Sequence, residues 1–219
     1  MSAELQTPAA DNIRLRIISS IVLMAFAIGA AELGTIALAG LGAILGTAMA
    51  FEWVSVVGPR RVELPLGLLY IAGAGISLVA LRAEPHGAAI ILWLFALTWA
   101  GDTGAYIIGR RLGRHALERF SNKTWEGFFG GVAAASIAGV LFAPPLDWSL
   151  AERVLVSAAL AVVAQLGDLL ESAAKRRFGV KDMSGLVPGH GGVLDRLDSL
   201  LLVLLVTGAA FAVLHGVAL

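Results

Sequence analysis

Residues 165–199 gather the side chains of this sequence that are able to do chemistry. They read Gln165-Leu166-Gly167-Asp168-Leu169-Leu170-Glu171-Ser172, then Lys175-Arg176-Arg177, Lys181-Asp182, Pro188-Gly189-His190-Gly191-Gly192 and Asp195-Arg196-Leu197-Asp198-Ser199. Counted from Asp168, Glu171 and Ser172 fall at +3 and +4 and Lys175 at +7, a single stripe of an α-helix. Asp195 and Asp198 repeat the three-residue spacing at the start of the last apolar run. Two helix ends thus aim carboxylates at one place, and the loop between them carries Lys181, Asp182 and His190.

Carboxylate oxygens in a chain with no cysteine are donors for a hard cation such as Mg²⁺, which keeps several waters and bridges one or two carboxylates to phosphates. Nearby cations would offset phosphate charge, and the glycines would let backbone N–H groups approach a phosphate. The pattern points to phosphoryl or nucleotidyl transfer at a membrane surface. An attacking phosphate is already ionised, so the demand on the protein is positioning and electrostatic stabilisation rather than a strong base. His190, set between glycines, is open as a proton donor, a phosphate contact or a loop hydrogen bond.

Each group also has a plainer role when taken alone. Asp168 could pair with Arg176 or Arg196 in helix packing, Asp195 could sit at a helix N-terminus for the macrodipole, and Lys175-Arg176-Arg177 could only signal topology. Their convergence with a Pro-Gly-His-Gly-Gly loop is what marks a site.

A second polar stretch holds Asp102, Ala105-Tyr106, Gly109-Arg110 and Lys123-Thr124-Trp125-Glu126-Gly127. Asp102, closing the apolar run that begins at Ile90, is expected with Lys123 and Thr124 to contact nucleotide or lipid phosphate. Arg110, Arg111, Arg114 and Arg119 read as anchors to an anionic surface.

The elements that hold these residues must be membrane helices. Of the 219 residues 58% are hydrophobic and 15% charged, with a mean hydropathy of +0.84, which excludes an ordinary soluble domain. At about 20 apolar residues per crossing, spans are expected near 15–31, 34–51, 64–81, 87–108, 127–143, 152–174 and 195–216. The expected fold is all-α, a polytopic membrane helical bundle of about seven transmembrane helices, with the first run retained rather than cleaved as a signal peptide. With a cytoplasmic N-terminus, fourteen Lys and Arg residues face inward and only Arg82 and Arg153 face outward, as the positive-inside rule asks. Residues 1–219 are read as one integral membrane domain, with 1–12 a disordered tail and 102–126 and 165–199 as active-site segments on the cytoplasmic side.

The pattern Ser172-x2-Lys175-Arg176-x4-Lys181-Asp182-x5-Pro188-x-His190-Gly191-Gly192-x2-Asp195-Arg196-x-Asp198 closely resembles the signature of the phosphatidate cytidylyltransferases, the CDP-diacylglycerol synthases. Gln165-x-Gly167-Asp168-x2-Glu171, Asp102-x2-Ala105-Tyr106-x2-Gly109 and Lys123-Thr124-Trp125-Glu126-Gly127 are similar to further pieces of that family. The resemblance implies conversion of CTP and phosphatidic acid to CDP-diacylglycerol and pyrophosphate by a homodimeric enzyme of the inner membrane, with Mg²⁺ and a companion K⁺. It implies Asp168, Asp195 and Asp198 as metal ligands. Ser172, Lys175, Arg176 and Arg196 would serve the phosphates, and Lys181, Asp182, His190, Gly191 and Gly192 would shape the substrate site. One departure is Phe120-Ser121-Asn122-Lys123-Thr124, where the family's proline after the serine is missing.

Two other readings make different predictions. An ion-coupled transporter with Asp168, Asp195 and Asp198 as a relay needs those residues near the bilayer midplane with access from both faces. A non-catalytic homologue would keep the fold and lose turnover.

Overall fold

The computed structural model describes residues 21–22, 24–59, 61–117, 123–187 and 191–215. The expectations for the 1–12 tail, Arg119, the Ser121-Asn122 loop and His190 fall outside the described residues.

The described residues form seven helices and no strand: α1 Met24–Leu33, α2 Thr35–Val57, α3 Glu63–Ala83, α4 Gly87–Leu112, α5 Trp125–Leu141, α6 Leu150–Phe178 and α7 Leu194–His215. Of these, α2, α3, α4, α6 and α7 are long and apolar enough to cross a membrane, while α1 and α5 are shorter apolar helices. The all-α polytopic membrane bundle expected from composition is the architecture observed. Large apolar side chains such as Ile36, Leu69 and Val213 face outward, as lipid-facing surfaces do.

Hydropathy places several helix ends too early, two of them at the candidate site. The α4 span expected to stop at 108 runs to Leu112, and the α6 span expected to stop at 174 runs to Phe178. Arg110 and Arg111, and likewise Lys175, Arg176 and Arg177, are good helix formers whose charge suits a helix C-terminus, so the backbone ladder continues past the apolar run. Gly179, at φ 71°, then ends α6 in the left-handed conformation favoured by glycine. Asp102 lies inside α4, as the expected span 87–108 had it, and Asp168, Glu171, Ser172 and Lys175 all lie on one unbroken α6.

Lipid offers no hydrophobic drive between helices, so close van der Waals fit must hold them. A Cβ on Gly104 of α4 would come within 2.5 Å of the Ala134 Cβ of α5, so the two backbones nearly touch there. One on Gly131 of α5 would lie 2.4 Å from Gln165 Nε2 of α6 and 2.9 Å from the Gly101 carbonyl of α4. Gln165 in turn donates to the Phe128 carbonyl at 3.3 Å, tying α6 to α5. The core is completed by Trp93, Leu94 and Leu97 of α4 and Leu201, Val203 and Leu204 of α7.

Candidate active site

The chemistry converges where α6 meets α7. A Cβ on Gly167 would sit 2.7 Å from the Asp198 carbonyl and 3.2 Å from the Leu202 Cβ, so only glycine allows α7 this close. The approach brings Asp198 across from Asp168 and Glu171, which lie one turn apart on α6. One carboxylate oxygen from each of the three lies within 4.8 Å of the other two. Three like charges at that separation would repel strongly, so the cluster calls for a cation or a shared proton among them.

Two lysines supply part of that charge. Lys123 Nζ lies 2.6 Å from Asp168 Oδ2, reaching in from the segment just before α5. Lys175 Nζ lies 2.6 Å from Glu171 Oε2 and 2.9 Å from Asp195 Oδ1, and both carboxylates are almost fully buried. Asp168 is thus paired by Lys123, not by either arginine considered from the sequence. The basic run Lys175-Arg176-Arg177 divides into three positions: Lys175 points into the site, Arg176 is exposed, and Arg177 pairs with Glu63 of α3.

Asp195, expected as a metal ligand, lies beside this trio and accepts hydrogen bonds at both oxygens. Its Oδ1 accepts from Lys175, and its Oδ2 accepts from the backbone N–H groups of Met183 at 2.9 Å and Gly192 at 2.7 Å. Glu171 takes the third place beside Asp168 and Asp198. Gly191, at φ 85°, supplies the turn that lets the loop fold back on Asp195. The loop has a second carboxylate under it, Glu52 of α2, which accepts from Ser184 Oγ at 2.6 Å and from the N–H groups of Val193 and Leu194, each at 2.8 Å. Sequence reasoning missed Glu52 because the expected span stopped at 51, which made it an interfacial residue; α2 in fact continues to Val57. A lone carboxylate at the end of an apolar run was the available signal.

The second polar stretch contributes unevenly. Asp102 Oδ1 accepts a long hydrogen bond of 3.4 Å from Ser199 Oγ, which links α4 to the first turns of α7. Thr124 is the N-cap of α5, its hydroxyl accepting from Gly127 N–H at 3.1 Å, so its oxygen already has a structural task. Glu126, one residue ahead of the apolar run 127–143, is bonded by the His115 ring nitrogen at 2.5 Å and by backbone N–H groups. These contacts hold its carboxyl down to about 2. Ser172 is half-buried on α6, while Lys181, Asp182 and Arg196 are exposed, without an ion pair among the described residues.

Beside the carboxylates lies a cavity of about 260 Å³ between α2, α3, α6 and α7. Its wall is largely apolar, with Trp53, Tyr70, Leu170 and Ala174, and Glu171 and Asp198 border it. The geometry thus joins an apolar recess to a cluster of carboxylates and lysines.

The description of the cytidylyltransferase family matches residues 62–214, and the chain belongs to that family. It is 46% identical over 157 residues to the phosphatidate cytidylyltransferase of Brucella suis biovar 1 (strain 1330), covering 68% of this chain and 55% of the relative. It is 42% identical over 145 residues to the phosphatidate cytidylyltransferase of Staphylococcus epidermidis (strain ATCC 35984), covering 63% of this chain and 55% of that relative. The chain therefore spans about half the length of the curated relatives it matches.

Proposed function

We propose that the chain is a CTP:phosphatidate cytidylyltransferase, making CDP-diacylglycerol and pyrophosphate in the inner membrane, with the site on the cytoplasmic side. The observation that carries this reading is the meeting of Asp168, Glu171 and Asp198 within 4.8 Å, flanked by Lys123 and Lys175. The family match supports the nucleotide half of the reaction, and the apolar cavity against the carboxylates supports a lipid as the other substrate.

The cluster fits a hard divalent cation. Its donors are all oxygen and its three negative charges exceed what two lysines, one of them shared with Asp195, neutralise. Asp168, Glu171 and Asp198 would hold Mg²⁺, and K⁺ is the proposed companion ion. Bound there, the metal would supply Lewis-acid stabilisation of phosphate charge.

In the transfer, a phosphatidate oxygen forms a bond to the α-phosphorus of CTP as the bond to the β-phosphate oxygen breaks, and pyrophosphate leaves with that electron pair. Lys175 holds the Glu171 and Asp195 carboxylates in place, and Lys123 does the same for Asp168. Arg176, Lys181 and Arg196, exposed at the rim, draw in the two polyanions and offset their repulsion, with Ser172, Asp102 and Asp182 lining the approach. Asp195 organises the loop whose Gly191-Gly192 backbone faces the site. The cavity beside Glu171 and Asp198 receives the glycerol end of the lipid and its first acyl carbons. The working unit is a homodimer formed of one integral membrane domain per chain.

The test is transfer of α-labelled CTP into lipid by purified protein in vesicles with phosphatidic acid and Mg²⁺. Label is expected in the lipid for the parent, with a loss of at least about a hundredfold for Asp198→Asn. Folded parent that labels no lipid would refute the assignment.

A further inference from the structure

We propose that Glu52 is a positioning residue of the transfer reaction, clamping Ser184 and the Val193-Leu194 start of α7 so that Asp198 is presented to α6. Glu52 is wholly buried, with 0% of its surface exposed, and both oxygens are used. Oε1 accepts from Ser184 Oγ and Val193 N–H, and Oε2 accepts from Leu194 N–H. Val193 and Leu194 open α7, so their N–H groups are among those that a helix cannot satisfy internally. The neighbouring Gly192 N–H goes to Asp195. Two carboxylates, one from α2 and one from α7, thus take three successive N–H groups where α7 begins.

The fit leaves no slack. A Cβ on Gly192 would lie 2.7 Å from Glu52 Oε1 and 2.8 Å from Oε2, so the backbone there rests directly on the carboxylate. Only a group with two acceptor oxygens serves all three donors; a carboxamide would turn an NH₂ toward a backbone N–H. Asp198 follows Leu194 by four residues, about 6 Å along the helix, so a rotation or slide of the first turn moves its carboxylate directly. Glu52 lies upstream of the family segment 62–214, so the start of α7 is fixed by a residue outside the matched region.

The inference rests on the cytidylyl-transfer reading, and the experiment separates the two. Full-length parent, Glu52→Gln and Ser184→Ala are assayed with labelled CTP and phosphatidic acid, and hydrogen exchange is followed in 183–195 and in α4. For Glu52→Gln kcat is expected to fall by about 10–100-fold with KM for CTP within about threefold, since misplacement of a catalytic group costs turnover before binding. Exchange should quicken in 183–195 and stay unchanged in α4. Ser184→Ala, which removes one of three donors and keeps the carboxylate, should lower kcat by about two- to fivefold with a smaller rise in exchange. Should Glu52→Gln lose its fold, Ser184→Ala decides alone. Parent turnover and parent exchange in the folded variants would overturn the positioning role only. A folded parent that labels no lipid would overturn the activity reading and the positioning role with it.

Discussion

Replacing Lys175 with methionine removes a cation held between two buried carboxylates. Lys175 Nζ stands 2.6 Å from Glu171 and 2.9 Å from Asp195, whose side chains are 6% and 2% exposed. With an effective dielectric constant of about 20, each contact is worth about 6 kcal/mol of attraction. Desolvation of the three groups cancels much of it, and removing one partner of a buried pair costs about 3–5 kcal/mol net. Asp195 keeps two backbone donors after the change, Met183 and Gly192, so the lower end of that range applies. At about 2–4 °C per kcal/mol for a chain of this size, Lys175→Met should melt about 6–12 °C below the parent in detergent with chelator present. Adding Glu171→Gln removes one uncompensated charge, so the double variant should recover at least half of the loss while cytidylyl transfer stays abolished. A single variant that melts within about 1 °C of the parent, or a double variant no more stable than the single, would refute the shared-cation account.

Two further outcomes test the scaffold. Gly131→Val places atoms where Gln165 Nε2 and the Gly101 carbonyl already lie, so it should destabilise the bundle by about 1–3 kcal/mol, read as a lower melting temperature, while Gly29→Val, with open space around it, should not. Thr124→Ala removes the α5 cap and should cost about 1 kcal/mol, with Thr124→Ser restoring it; if Thr124→Ser matched Thr124→Ala in melting temperature, the hydroxyl would not be the cap.

Much of the site's inventory was legible because it is local. The +3, +4, +7 spacing from Asp168 needs only the helical period, and α6 carries those residues as one continuous helix. The start of the last helix at Asp195 followed from the change from glycine-rich loop to apolar run, and α7 begins at Leu194. Helix ends were less legible, because hydropathy measures where lipid stops and the backbone ladder does not end there, as Arg110 and Arg177 show.

By itself the sequence determined that this is an all-α membrane protein and put Asp168, Glu171 and Lys175 on one helix stripe, while leaving Glu52 unnoticed. Composition and period are properties of a single segment, and a bilayer admits few alternatives to the helix. Tertiary structure alone decided which of those groups meet. Gly167 sets how closely α7 approaches α6, and that depth puts Glu171 with Asp168 and Asp198 and turns Asp195 toward Lys175 and the loop. Glu52 reaches Val193 across 141 residues of chain, a separation at which no periodicity or spacing rule connects two positions. Contacts of that kind follow from helix register and crossing, which only the assembled bundle fixes.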